Sequence, residues 1–593
     1  MTDALRLFDL AQLAEASYAD FTSSDKKQAL KDEGFSETQA TEFLTHWQVV
    51  NQMPDTIHGF SATLFQRVDS DPLTGAQAGD YAFAIRGSTP DNLGIDFQID
   101  ASDIFADGIA LDQMVDMYNY WQQLTTPVGQ SYQRAALLPV NGNIVYPPGS
   151  YIVDNPTGTI KTITFADSAS AYPAGDSRQY GLGFSVQNGI TVAGHSLGGH
   201  LTMAFTALFP GLNAEAFGVN GLGFRENSNI NNLLTLLGGS AQFNAANIEN
   251  VYGLAGPEFA AQNTWLLTQP GGYDGIYIED GIGHVGGHSA TQMTDSMAVY
   301  NLLIRLGNQS ANQSVAATLT KLTPIFDKAS NQAATSLEQL VKGLSLTLLG
   351  TNPDIITDDR EALYAAIKDI TDSPTYQSLL GNVTLAAPPT SGSEARTDFS
   401  AFLSLFYLTP FTLKTNNAEA NNLLLAIHQA LGDKWTADYN LNSEDLQNGK
   451  ANFSDLWLAD RAAMLSWVNL ANKEDIQTSA DQQVANNGLP NALEGATQRY
   501  YFQDMTSGTE VYLGTSQDRQ KFIFGSIAAD TIAGSDFNDH LYGMGGNDTL
   551  NGGKGKDWLE GGADDDYIDG GNGDNDFNFG RNATNNNEWR MAA

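Results

Sequence analysis

Hydrophobic residues at the start of the chain recur with the period of a helix. Residues 4–18 carry apolar side chains every three or four positions, which predicts an amphipathic helix. Ser36 and Gln39 form a capping box, which predicts a second helix that continues through Val50. We interpret both segments as packing helices.

Farther along, short runs of strand composition alternate with helical patterns. The strand-like runs are 59–68, 80–88, 214–224, 247–259 and 274–280, and the helical runs include 111–124 and 290–306. Residues 126–185 are rich in Gly, Pro, Ser and Tyr, which indicates loops and hairpins. Strands that alternate with helices predict a mostly parallel sheet.

One strand-to-helix junction carries the strongest chemical signal. Residues 189–203 run from an apolar segment through Gly194, Ser196 and Gly198 into a helix-forming run. A serine on so tight a turn needs small neighbours two positions to either side, and the following helix directs N–H groups at the reacting oxygen. The pattern predicts a nucleophile elbow with Ser196 as the nucleophile.

An oxyanion hole needs the N–H of the residue after the nucleophile and a second donor from an earlier strand end. Leu197 follows the elbow serine, and the run 80–88 ends in Ser88. We expect Leu197 and Ser88 to form this hole, with an ordinary turn serine as the alternative for Ser88. The amphipathic segment at 111–124 fits a lid over an apolar pocket and equally a crossover helix.

Chain order limits the choice of a general base. An elbow within an α/β-hydrolase sheet is followed first by the acid and then by the histidine. The fold places its base in the loop after the last strand. Three histidines lie in other segments, namely the elbow helix, a later helical run and the C-terminal repeats: His200, His428 and His540. We favour His288 because Ser289 and Gln292 cap the helix directly after it. His284 in the same Gly-rich loop is the alternative.

The acid of the triad is less sharply defined by the sequence. Glu258 follows the strand that precedes the histidine strand, which is where the fold places this carboxylate. Asp280 is nearer to His288 along the chain but lies on the same strand-loop unit, and Asp274 ranks behind it. We predict Glu258 and keep the other two as alternatives.

A nine-residue period occupies the end of the chain. From Gly525 onward six units follow the pattern GGxGxDxUx, with an apolar eighth residue in each. The first five carry aspartate at the sixth position: Asp530, Asp539, Asp548, Asp557 and Asp566. The first two units lack the inner glycines.

We call residues 525–578 the repeat array. Its glycines, backbone carbonyls and aspartates predict Ca²⁺ sites in a parallel β-roll, and without Ca²⁺ the carboxylates should repel one another.

Composition narrows the classes of partner. The 593 residues include 68 Asp and Glu against 29 Lys and Arg, which gives a net charge of -39. Such a chain repels nucleic acid, and divalent cations are its simplest ionic partners. The absence of cysteine excludes disulfides and thiolate metal sites.

The length predicts two or three domains. We expect an α/β-hydrolase catalytic core at 1–307, a mainly helical extension packed on it at 308–516, and the β-roll with its tail at 517–593. The N-terminal pattern contains acidic residues where a secretory signal would be basic and then apolar, so we expect no cleavable signal. The sequence contains no run of about 18 apolar residues, so we expect no membrane-spanning helix.

The motifs together resemble a known enzyme group. GHSLGG at 194–199, IRGS at 85–88 and the helix start after His288 resemble the lipase class 3 group, and the C-terminal repeats resemble those of RTX-type bacterial lipases and phospholipases A1. The resemblance implies Ser196 as nucleophile, His288 as base, Ser88 with Leu197 as the oxyanion hole, and export by type I secretion. It implies Asp548, Asp557 and Asp566 as calcium ligands. Two departures are a glutamate in place of the usual acid and a C-terminus without an apolar-acidic signal.

These observations predict a secreted monomeric enzyme that needs Ca²⁺ but no organic cofactor. We expect it to release fatty acid from glycerolipids at a membrane or lipid surface, as a phospholipase A1. A triacylglycerol lipase is the alternative within the same chemistry. A serine peptidase on the same fold and a non-enzymatic RTX adhesin or surface protein are the alternatives of other classes.

Overall fold

The computed structural model describes the chain in segments. These are residues 4–88, 104, 107–140, 147, 149–154, 158–186, 189–225, 228–254, 263–264, 267–279, 288–307, 314–329, 336–356, 359–396, 398–414, 422–423, 426, 453–473, 500–512 and 519–578. The chain forms two compact units. Unit 1 comprises residues 1–304, 309–323 and 359–365, and unit 2 comprises 305–308, 324–358 and 366–593. The predicted division into three domains stays a prediction.

The part of the chain up to Leu306 contains both helices and strands. In chain order they are α1 Leu7–Ala16, α2 Lys26–Asp32, α3 Glu37–His46, β1 Trp47–Met53, β2 Ala62–Arg67, β3 Tyr81–Ile85, α4 Leu111–Thr125, β4 Gln133–Pro139, β5 Ile152–Asp154, β6 Thr159–Asp167, α5 Ser168–Ala171, β7 Thr191–His195, α6 Leu197–Leu208, β8 Glu215–Val219, α7 Ser228–Leu236, β9 Ile248–Gly253, β10 Gly272–Ile276 and α8 Ala290–Leu306.

Seven strands of unit 1 form one mixed sheet in the order β1-β2-β3-β7-β8-β9-β10. Strands β3, β7, β8, β9 and β10 are parallel, whereas β1 and β2 add an antiparallel edge. The central strands are buried along their length because their residues are almost all apolar. This confirms the predicted α/β arrangement with a mostly parallel sheet. The carboxyl ends of β3, β7 and β9 therefore lie on the same side of the sheet.

Aromatic side chains fix the helices to this sheet. Phe83 of β3 packs against Trp121 of α4 and Phe205 of α6, and the last two rings meet edge to face at 4.9 Å between centroids. All three side chains are buried. Such contacts add to the burial of apolar area, so α6 is held firmly behind the end of β7.

The helix predicted from Ser36 to Val50 is confirmed at its start but ends earlier than predicted. The capping box of Ser36 and Gln39 is present in full at the start of α3. The helix ends at His46, however, and Trp47–Met53 forms β1 rather than a further helical turn. Antiparallel pairing of β1 with β2 satisfies the backbone of this segment, and long-range pairing of this kind overrides a local helical pattern.

The rest of the described chain contains further helices and short strands. They are α9 Val315–Phe326, α10 Ser336–Leu349, α11 Arg360–Asp372, α12 Pro374–Leu379, β11 Thr384–Ala386, α13 Gly392–Ala395, α14 Phe399–Tyr407, β12 Thr412–Lys414, α15 Asp455–Lys473, β13 Tyr500–Asp504, β14 Thr509–Tyr512, β15 Gln520–Phe524, β16 Thr531–Ser535, β17 His540–Tyr542, β18 Thr549–Gly553, β19 Trp558–Glu560, β20 Tyr567–Asp569 and β21 Asp576–Asn578.

The repeat array forms two sheets of parallel strands. In one sheet, β17, β19 and β21 of the array follow β15, which ends just before the array, and β13 and β14 extend this sheet beyond β15. In the other sheet, β16, β18 and β20 pair with one another. Partners are 18 residues apart, as in Leu541 with Leu559 and Ile532 with Leu550. The eighth residues of the units form a thin apolar core. Two units therefore complete one coil, as the period predicts.

Helix α15 covers one sheet of the array within unit 2. Trp457 lies edge to face on Phe524, and Asp460 accepts hydrogen bonds from the His540 ring and the Tyr542 hydroxyl. Apolar burial and a polar anchor thus join helix and array. A search of the described residues found no helix with the length and hydropathy required to span a membrane.

Candidate functional site

Ser196 occupies the turn between β7 and α6. Its backbone dihedrals are φ 55° and ψ -120°, and it is the residue before the first turn of α6. A side-chain-bearing residue at positive φ is strained and persists only where the surroundings fix it. The turn therefore holds this serine in the geometry expected of a nucleophile elbow.

The neighbouring glycines are required by close contacts. A Cβ at Gly198 would lie 2.1 Å from the carbonyl oxygen of Ile85, and one at Gly194 would lie 2.5 Å from Gly198. A Cβ at Gly199 would meet the Cα of Gly221 at 2.6 Å. No side chain fits at these distances, so the turn can pass between its neighbours only with glycine at all three positions.

The imidazole of His288 meets the hydroxyl of Ser196. Its Nε2 lies 2.8 Å from Ser196 Oγ, although the two residues are 92 positions apart. His288 precedes α8 by one residue, as the capped helix predicted, and Gln292 N–H donates to Ser289 Oγ at 3.4 Å. The structure brings the predicted nucleophile and base together in the geometry of proton transfer.

The chain after β3 passes directly beside the elbow. A Cβ at Gly87 would lie 3.2 Å from Ser196 Cβ and 2.4 Å from the carbonyl oxygen of His195. Ser88, a predicted oxyanion donor, is the next residue, and Leu197 begins α6 on the other side of the serine. The two predicted donors therefore come from segments that flank Ser196.

A hydrogen-bonded chain that the sequence did not predict supports this arrangement. The hydroxyl of Tyr18 lies against Gly87, where a Cβ would come within 2.5 Å of it, and 2.7 Å from His195 Nδ1. The other nitrogen of that ring, Nε2, lies 2.7 Å from the backbone carbonyl oxygen of His288. Tyr18, two residues after α1, is thereby linked through His195 to the loop of the base, and it packs against the segment after β3.

The partners determine the tautomer of His195. A carbonyl oxygen only accepts, so Nε2 carries the hydrogen and donates to His288, and Nδ1 accepts from the Tyr18 hydroxyl. Burial, with a smaller effect of His288, lowers the pKa of His195 to about 3. Burial also raises the pKa of Tyr18. Both groups are neutral near pH 7, as this pattern of donors requires.

The predicted acid, Glu258, lies outside the described residues, as do the alternatives Asp280 and His284. Asp274 is on β10, where its carboxyl interacts with that of Glu249 on β9. Burial and then this neighbour raise the pKa of Glu249. Glu258 stays the predicted acid, and Asp274 has a different partner.

His200, another histidine near the elbow, is part of the packed core. His200 is fully buried in α6, stacks on Phe224 and accepts from Ala110 N–H at 3.4 Å. Burial lowers its pKa to about 4. Its exclusion from the triad, because it lies on the elbow helix, agrees with this position.

The aspartates of the repeat array form a ladder along each side. Asp548 Oδ1 accepts from the Asp530 amide at 2.8 Å, and Asp557 Oδ1 accepts from the Asp539 amide at 2.9 Å. Burial raises the pKa of Asp548 to about 8 and that of Asp557 to about 6. A buried carboxylate oxygen without a donor is well suited to a hard cation.

Calcium ligation at the array fits a site built mainly of main chain. In the described part of the chain no group of three or more His, Asp or Glu side chains is placed to hold a metal. Asp548 Oδ2 and Asp557 Oδ2 are buried and lack a hydrogen-bond partner among the described residues. Each would add its charge to the carbonyls of the Gly-rich loops, as the repeat predicts.

Comparison with known families identifies the array. Residues 524–559 and 552–583 match the RTX calcium-binding nonapeptide repeat, a family unit of four copies. Comparisons with curated proteins and with solved structures gave no significant match. The chain therefore carries RTX repeats that bind Ca²⁺ at its C-terminal end.

Proposed function

We propose that this chain is a secreted serine ester hydrolase that releases fatty acid from glycerolipids, with the preference of a phospholipase A1. The proposal includes an α/β-hydrolase fold for unit 1. The observation that carries it is the 2.8 Å contact between Ser196 Oγ and His288 Nε2 on a strained turn between strand and helix. A packing role alone does not require a serine at positive φ beside an imidazole.

The proposed reaction proceeds through an acyl-enzyme. His288 Nε2 accepts the proton of Ser196 Oγ while the oxygen attacks the ester carbonyl. In this proposal the Leu197 N–H and Ser88 donate to the oxyanion. His288 then returns the proton to the leaving alcohol, and water releases the fatty acid by the reverse sequence. Glu258 is the proposed partner of the protonated imidazole.

His195 and Tyr18 contribute by positioning rather than by reacting. The His195 Nε2–H donor holds the backbone carbonyl of His288, and the Tyr18 hydroxyl fixes the tautomer that makes this donor available. Because Gly87 packs against the same hydroxyl, this network would also support the segment after β3 that supplies Ser88. Base and oxyanion donors would thus share one support.

Exposed apolar side chains support a lipid substrate. Ile57, in the loop after β1, is 96% exposed, and Leu254, directly after β9, is 50% exposed. Strand pairing puts both residues on the side of the sheet where the parallel strands have their carboxyl ends, which is also where Ser196 lies. Large apolar side chains at the edge of a reaction site favour contact with a lipid surface. RTX repeats are typical of proteins exported by type I secretion, which supports an extracellular location.

The test is fatty-acid release from emulsified phosphatidylcholine in the presence of Ca²⁺. Ser196→Ala should abolish release because the acyl-enzyme cannot form, whereas Ser240→Ala, a loop serine that bonds locally to Gln242 N–H, should retain it. Release that persists in Ser196→Ala would exclude the proposed nucleophile. Inactivity of the wild type would favour the non-enzymatic RTX protein.

The products distinguish the two lipid substrates. A lysophospholipid that has lost its sn-1 chain would indicate a phospholipase A1. Preferential cleavage of trioleoylglycerol would indicate a triacylglycerol lipase instead.

A further inference from the structure

The six units of the repeat array have two different loop conformations. In units three to six the second residue has positive φ: Met544, Gly553, Gly562 and Gly571, at 76°, 94°, 109° and 68°. The fourth residue of the same units is also left-handed: Gly546, Gly555, Asp564 and Gly573. Even methionine and aspartate adopt this conformation where a unit requires it. Units one and two carry Ser526 and Ser535 at the second position without positive φ.

The serines close the first two loops by hydrogen bonding. Ser526 donates its amide at 2.6 Å and its hydroxyl at 2.9 Å to Asp530 Oδ2. Ser535 donates both groups to Asp539 Oδ2, the hydroxyl at 2.9 Å. The second carboxylate oxygen of these units is therefore already satisfied by protein donors.

Units three and four lack these donors. Asp548 and Asp557 are each 1% exposed, and their Oδ2 atoms have no hydrogen-bond partner among the described residues. A buried carboxylate oxygen without a partner is costly. The left-handed residues turn the loop so that the second residue no longer caps the aspartate, which leaves this oxygen open to a cation.

The other carboxylate oxygen has the same role in the closed loop of Asp539 and in the open loops of Asp548 and Asp557. Asp539 Oδ1 accepts from the Lys521 amide at 2.7 Å, just as Asp548 Oδ1 and Asp557 Oδ1 accept from amides one coil earlier. Asp539 of a closed loop therefore shares this structural contact with the two aspartates of the open loops. These three aspartates differ in what Oδ2 meets.

We propose that calcium binding in the array begins at the third unit. The carboxylates of Asp548 and Asp557 ligate Ca²⁺, whereas Ser526 and Ser535 take the place of the cation in the first two units. The predicted ligands Asp530 and Asp539 are thereby assigned to calcium-independent loops, and Asp566 remains a predicted ligand. The first coil folds without Ca²⁺ and supplies the edge on which the calcium-dependent coils assemble.

The test counts bound Ca²⁺ on the full chain by equilibrium dialysis with metal analysis, in four variants. Asparagine keeps the Oδ1 acceptor but removes the charge, so it separates ligation from the ladder. Asp548→Asn and Asp557→Asn should each lose bound Ca²⁺ relative to the wild type. Asp530→Asn and Asp539→Asn are matched controls and should bind the wild-type number.

The outcomes decide the proposal in either direction. Loss of Ca²⁺ in Asp530→Asn or Asp539→Asn, or the full number in both Asp548→Asn and Asp557→Asn, would overturn it. Circular dichroism of each variant at saturating Ca²⁺ checks that the array is folded. If Asp548→Asn or Asp557→Asn does not fold, the control pair still decides, because Asp539 is as buried as they are.

Discussion

Gly198 has a carbonyl oxygen where any other residue would have its side chain. The oxygen of Ile85 would lie 2.1 Å from a Cβ at this position, and Arg86 C would lie at 2.8 Å. Both neighbours are main-chain atoms at the end of β3, so relief requires the strand end to move. That strand end leads to Gly87, which borders Ser196. One methyl group would therefore disturb both sides of the candidate site.

Gly198→Ala should lower the free energy of unfolding by about 1–3 kcal/mol and remove most ester hydrolysis. Gly211→Ala is the matched control, because a Cβ there meets nothing within 4 Å. Urea unfolding and turnover on a soluble ester measure the two effects. Equal behaviour of the two alanine variants would contradict the close contact at Gly198.

Sequence reasoning reached individual residues where the chemistry is local. The glycines around Ser196 and the capping box at Ser36 are both recognisable from short spacing, and both are present. Tyr18 could not be found in this way. It lies 177 residues from His195, and nothing in its own segment marks it as a hydrogen-bond donor to a ring so distant.

At the scale of elements, strand pairing decides what local patterns cannot. Residues 47–50 look helical beside α3, yet they pair with β2 in register from Trp47 to Met53, with a bulge between Val49 and Asn51. The same pairing of β9 with β10 brings the Glu249 and Asp274 carboxyls together. A sequence pattern does not contain the register, so neither result was predictable from it.

The Glu249 and Asp274 pair should make stability depend on pH. Burial and Asp274 raise the folded-state pKa of Glu249 above its ordinary value of 4.5. A raised pKa stabilises the fold fully below the unfolded value, and that contribution is lost as pH rises toward the folded pKa. The free energy of unfolding should therefore decline as pH increases above 4.5, by at most about 1.4 kcal/mol per pH unit from this group.

Glu249→Gln should flatten that decline, because an amide donates to Asp274 without a proton to lose. Urea midpoints measured from pH 4.5 to 8 in the absence of Ca²⁺ give the comparison. The variant should gain stability relative to the wild type as pH rises. Parallel curves for the two proteins would show that the pair does not hold a shared proton.

At the scale of the whole molecule, charge and calcium act together on unit 2. The chain carries a net charge of -39, and the array concentrates buried aspartates in its loops. The nine-residue period predicted these loops, the two sheets and the apolar eighth positions because all of them follow from one repeated unit. The packing of α15 on the array through Asp460 was not predictable, since no repeat or motif records it.

Removal of calcium should affect the two units unequally. A cation that binds only the folded array stabilises it by RT ln(1 + [Ca²⁺]/Kd), about 4 kcal/mol at a thousandfold excess over Kd. Calorimetry in EGTA should lower the transition of the unit that holds the array by several degrees, on the order of 2–4 °C per kcal/mol. Mg²⁺ serves as the control ion. An equal shift of every transition, or none, would contradict the assignment of Ca²⁺ to the array.

The most direct test of the proposed chemistry is covalent labelling of the intact chain with a fluorophosphonate, followed by peptide mass spectrometry. This reagent reacts with a serine hydroxyl only where a neighbouring base activates it. The account predicts a single adduct on Ser196 that is absent from Ser196→Ala and forms far more slowly in His288→Asn. An unlabelled wild type, or an adduct on any other serine, would contradict it.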